Sequence, residues 1–150
     1  MKKCSEYKKN IETGYFGPTN PVNDNGEEFP KLYYKCKSDH RKSARKSPHK
    51  TRWILTEAQE YEVFRYADEV LNIGHSGDMF GFYSETYNHL EPLGENEERI
   101  AKFLQPSNSN DPWHGYPTDE YEFKDNVLVK WVQCNIISET TRKRLLLGKL

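Results

Sequence analysis

The chain has 150 residues, 35% of them apolar, 30% charged and 13% aromatic, with a formal net charge of −1. That length suits one domain, and ten Tyr, seven Phe and three Trp supply enough bulky side chains to hold a modest core despite the low apolar fraction. No run of about 18 apolar residues occurs, which excludes a membrane-spanning helix, and three widely spaced cysteines (Cys4, Cys36, Cys134) exclude a paired disulfide framework.

The charge is laid out in blocks. Residues 1–53 carry 13 Lys/Arg against 6 Asp/Glu, residues 54–125 carry 4 against 16, and residues 126–150 carry 5 against 1. Blocks of one sign steer charged partners in a way that a mixed surface does not. The opening MKKCSEYKKN is charged, with no apolar stretch behind it, so the expected setting is the reduced cytoplasm.

In chain order, residues 13–31 hold three Pro, three Gly and three Asn and are expected to form a surface loop. Leu32–Cys36 (LYYKC) is a short strand candidate on its aromatic content. Residues 37–52 are polar and basic, with little to bury, and are expected to be a flexible arm. At Thr56 the pattern T-E-A-Q gives a capping box with Gln59, and Val63, Tyr66, Ala67, Val70 and Leu71 follow at helical spacing. The expected helix covers 57–72, with Gly74 as its left-handed cap.

Residues 77–90 suggest a turn and then strand or irregular structure packed on the core. A helix is expected over 95–104, from glutamates at its start and Ile100, Phe103 and Leu104 on one face, with 106–119 a loop after Pro106. Asp125 and Ser138 each precede an apolar-faced segment. The short join between those segments implies a C-terminal αα-hairpin. The expectation is a single helix-rich α+β domain over 1–150 with a small β element.

Two surfaces carry functional expectations. The acidic middle, represented by Glu57, Glu60, Glu62, Asp68 and Glu69, offers a negative face to a basic protein partner, as inhibitor and immunity proteins do in physical terms. Trp113 and Tyr116, in the rigid turn DPWHGYP, are candidate contacts for the same partner. The basic arm, through Arg41, Lys42, Arg45, Lys46, Lys50 and Arg52 and flanked by Tyr33, Tyr34 and Trp53, is the alternative, a nucleic-acid contact.

A catalytic extension of that alternative is a ribonuclease that uses His49 and His114 as acid and base without a metal. His49–Lys50–Thr51 resembles the His-x-Thr element of two-histidine phosphoesterases, but that mechanism needs two such elements and the chain has one. Residues 138–146 (SETTRKRLL) superficially resemble a groove-reading helix, without the usual glycine turn. Cys36 and His40 make half a zinc site, so no metal is expected, and no phosphate-cradling or dinucleotide motif points to a cofactor. The balance favours a non-catalytic protein that binds a basic partner, oligomeric state open.

Overall fold

The computed structural model describes residues 6–41, 51–74, 76–118 and 125–147. Helix α1 spans Glu57–Tyr66 and opens on the expected capping box: the Thr56 hydroxyl accepts from the Gln59 amide, and the Gln59 side chain accepts from the Thr56 amide at 3.0 Å. The helix then widens into one π-helical turn, Ala67–Leu71. That turn closes on Asn72, whose side-chain amide donates to the Ala67 carbonyl at 2.8 Å and to the Phe80 carbonyl at 3.2 Å.

A three-stranded antiparallel sheet follows, in the order β1 (Met79–Gly81), β2 (Ile100–Leu104), β3 (His114–Thr118). Helices α2 (Asp125–Gln133) and α3 (Glu139–Leu146) complete the fold. The Ser138 side chain caps α3 by accepting from the Thr141 amide. The architecture is α+β, as composition and spacing led one to expect.

Three expectations are corrected. Residues 95–104 are not a helix: Glu97 takes a left-handed φ of 66° in a turn, and the chain then enters β2. Residues 106–119 are not all loop, since His114–Thr118 pairs with β2 along its whole length. Pro117 is tolerated there because it lies in the edge strand, where a lost ladder donor costs little. Leu32–Cys36 is not a named strand; Tyr34 alone makes isolated bridges, antiparallel to Phe16 and parallel to Trp113.

The sheet divides two sets of buried side chains. Ala101 and Phe103 of β2 pack with Tyr34, Trp53, Tyr61, Val63, Phe64 and Trp113, a largely aromatic core in which the Phe64 and Phe103 rings meet edge to face at 5.3 Å. Ile100 packs with Leu71, Phe82, Leu90, Leu128, Trp131, Ile137 and Leu145, which ties α2 and α3 to one end of the opposite face. The segments before α1 wrap that helix. Tyr7 donates to Glu62, Tyr34 to Glu60, and the Asn20 amide to Glu69 at 3.0 Å.

That wrap decides the fate of the acidic helix. Glu60, Tyr61, Glu62, Val63, Phe64 and Arg65 are six consecutive buried residues, so α1 is enclosed on all sides. Among the described residues, no helix is long and apolar enough to cross a membrane.

Candidate functional site

The site takes shape along β3, the last strand of the sheet. Gly115 faces the aromatic core, where a Cβ would run into the Phe103 ring and the Lys102 carbonyl. Alternation along the strand therefore turns His114 and Tyr116 to the opposite face, both half-buried. In the β2–β3 register Tyr116 stands opposite Lys102, and His114 opposite Leu104. Residues directly opposed in an antiparallel pair share a face, with Cβ atoms about 5 Å apart. Helices α2 and α3 pack toward Ile100, at the other end of this face.

Two segments cover the β3 edge and bring in a further ring. The Lys35 amide donates to the Trp113 carbonyl at 2.9 Å, and the Trp113 amide to the Tyr33 carbonyl at 2.8 Å. The Trp53 indole donates to the Gly115 carbonyl at 3.2 Å, and the Thr51 hydroxyl donates to the Pro117 carbonyl. A single 3-10 turn, Ser38–His40, then lays the His40 imidazole on the Tyr116 ring at 5.4 Å, close to parallel.

The His40 ring is held by a second contact, its Nδ1 lying 3.0 Å from the Thr51 carbonyl. A carbonyl only accepts, so Nδ1 carries the hydrogen and Nε2 is the nitrogen left for chemistry. The His40 carbonyl accepts from the Trp53 amide at 2.8 Å, so positions 40 and 53 are locked together.

His114 lies within electrostatic reach of His40. Burial first, and then the charges of Lys37 and His40, hold its imidazole below the ordinary value, against a smaller opposing pull from Asp39. Its Nδ1 is enclosed without a hydrogen-bond partner among the described residues. The face thus gathers two imidazoles, a phenol and two lysines from three separate stretches of chain. Among the described residues no group of three or more His, Cys, Asp or Glu is placed to hold a metal ion.

The carboxylates expected to form an open negative face are elsewhere, and the expectation is corrected for most of them. Glu60 and Glu62 are fully buried. Glu60 accepts from Tyr34 and pairs with Arg41; Glu62 pairs with Arg65 at 2.5 Å, and the same guanidinium holds Glu69 at 2.8 Å. Asp68 is buried, with a hydrogen bond from Thr19, and Glu57 lies 3.3 Å from the Lys9 ammonium. Burial raises Glu60 to about 7 despite Arg41, and Asp68 to about 6.

Trp113, a candidate partner contact that could equally plug the core beneath its loop, is only 7% exposed and closes the aromatic core. Tyr116 is the member of that pair that reaches the outer face. Of the basic-arm residues, Arg41 is committed to Glu60 and the Leu55 carbonyl, and Arg52 lies 3.7 Å from Glu95. Lys42, Arg45, Lys46, His49 and Lys50 lie outside the described residues. His40 was legible only as half of a metal pair; its place beside His114 comes from contacts that no local pattern announces. No family model matches the chain, and neither the curated proteins nor the solved structures give a match.

Proposed function

We propose that the protein binds single-stranded nucleic acid on the outer face of β2–β3, using the cations that the sequence places between Arg41 and Thr51. One observation carries this reading: the entry to and exit from that basic stretch are pinned beside His40 and Tyr116, through the Trp53 amide and the Thr51 carbonyl. Lys42, Arg45, Lys46 and Lys50, with no acid among residues 42–50, are the cations that the sequence supplies between those two pinned ends; they lie outside the described residues, whereas Lys37 and Lys102 lie within them.

Phosphate contacts supply most of the affinity of such a surface, and aromatic planes add sequence-tolerant stacking on unpaired bases. The burial of Glu60 and Glu62 supports the same reading, because charges consumed inside α1 repel no backbone. The competing idea, an inhibitor- or immunity-type protein presenting an acidic helix to a basic partner, has correspondingly less to rest on.

The test is fluorescence anisotropy with single-stranded RNA and DNA oligomers of about twenty nucleotides, enough to span one site. Binding should weaken linearly with log salt, by about 0.7 in slope for each phosphate neutralised. Lys37→Glu and the double change Arg45→Glu/Lys46→Glu should each weaken it and flatten that slope. No binding to either polymer at low salt would remove the proposal.

A further inference from the structure

Resting on that nucleic-acid reading, we propose that the His40–His114 face cleaves RNA, with His114 as general base and His40 as general acid for attack by the ribose 2′-hydroxyl. His114 and Tyr116 are two apart on one strand and face the same way, and His40 lies flat on Tyr116, so the two imidazoles flank one patch of surface. Lys102 stands opposite Tyr116 on the neighbouring strand, and Lys37 lies close enough to act on the charge of His114.

Each part has a task in the chemistry. The 2′-oxygen attacks phosphorus while His114 takes its proton; the P–O5′ bond breaks while His40 Nε2 delivers a proton to the departing 5′-oxygen. The products are a 2′,3′-cyclic phosphate and a 5′-hydroxyl, and the two histidines return to their starting states by proton exchange with water. Atoms and charge balance with no further reactant. The lysines stand where negative charge builds on the pentacoordinate phosphorus, the condition under which fixed cations accelerate a reaction.

The tautomer of His40 suits its role, since the Thr51 carbonyl occupies Nδ1 and leaves Nε2 as the working nitrogen. The neutral state of His114 suits a base. Because the nucleophile belongs to the substrate, DNA binds the same face and stays intact.

The experiment uses the full chain, a labelled single-stranded RNA, the same sequence with 2′-O-methyl groups, and DNA, all with a chelator present. Binding is read by anisotropy and cleavage by gel and end-group analysis. All three polymers should bind. The RNA alone should be cut, to cyclic-phosphate ends. With RNA saturated by protein, so that any change in affinity drops out, His114→Gln and His40→Phe should each cut it slower by about 10²–10⁴-fold, the contribution of one positioned proton-transfer group. Phenylalanine keeps a ring stacked on Tyr116 but gives up the hydrogen bond to the Thr51 carbonyl, so urea unfolding of this variant is measured beside its cleavage rate to separate lost structure from lost chemistry.

RNA bound and uncut by the parent would overturn the cleavage proposal and leave the binding reading standing. Cleavage retained in both variants, or cleavage of the 2′-O-methyl polymer, would also overturn it. No binding to any of the three would sink both.

Discussion

The Glu60 carboxylate offers the sharpest test of how α1 is held. It is fully buried, accepts from Tyr34 and faces the Arg41 guanidinium, yet burial outweighs both partners and raises it from 4.5 to about 7. A group that binds its proton more tightly when folded stabilises the fold at low pH. That stability is fully present below the unfolded value and is lost as the pH climbs through the folded one. For Glu60 the loss runs from about pH 4.5 to about pH 7, and at about 1.4 kcal/mol per pH unit it comes to about 3 kcal/mol.

Glutamine imitates the protonated side chain at every pH. The difference in unfolding free energy between Glu60→Gln and the parent should therefore move in favour of the variant by about 3 kcal/mol between pH 4 and pH 8. Urea titrations followed by tryptophan fluorescence at several pH values measure it, with Asp68 common to both proteins and cancelling. A difference that is constant with pH, or that moves in favour of the parent, would mean the ion pair to Arg41 dominates desolvation and would refute the reasoning.

Other substitutions test the frame around the site. Thr56→Ala removes the hydroxyl half of the capping box and should cost about 1 kcal/mol in urea unfolding, with the binding face untouched. Gly115→Ala forces a methyl into Phe103 and the β2 backbone; about 1–3 kcal/mol of lost stability is expected, together with weakened nucleic-acid binding as His114 and Tyr116 shift. A Gly115→Ala protein as stable as the parent would show that the strands are not so closely set.

What was legible in the sequence was local. The T-E-A-Q box, the serine before α3 and the apolar face of α2 each involve residues within a turn of one another, and each forms as its spacing implies. The sheet was hidden because its pairing is not local. Ile100, Phe103 and Leu104 fit a helical face as well as a strand, and what decides between them is pairing with β1 and with β3, which Gly115 and Pro117 disguised as loop.

The acidic residues of α1 misled for the same reason. A helix rich in carboxylates reads as solvated until Tyr7, Tyr34 and Arg41 arrive from up to 55 residues away. His114 and Tyr116 stood out in their turn, whereas His40 and Lys102 join them only through folding.

The wrapping of α1 by residues 6–36 also constrains how the molecule is made. These residues are synthesised before the groups that satisfy them, Glu60, Glu62, Glu69 and Trp113, which follow tens of residues later. The 6–36 stretch meets these partners only once the chain has been extended through them, and such long-range closure slows folding. Trimming it from an expression clone would strip two interior carboxylates of their tyrosine donors, so the helix and sheet are not a separable smaller unit.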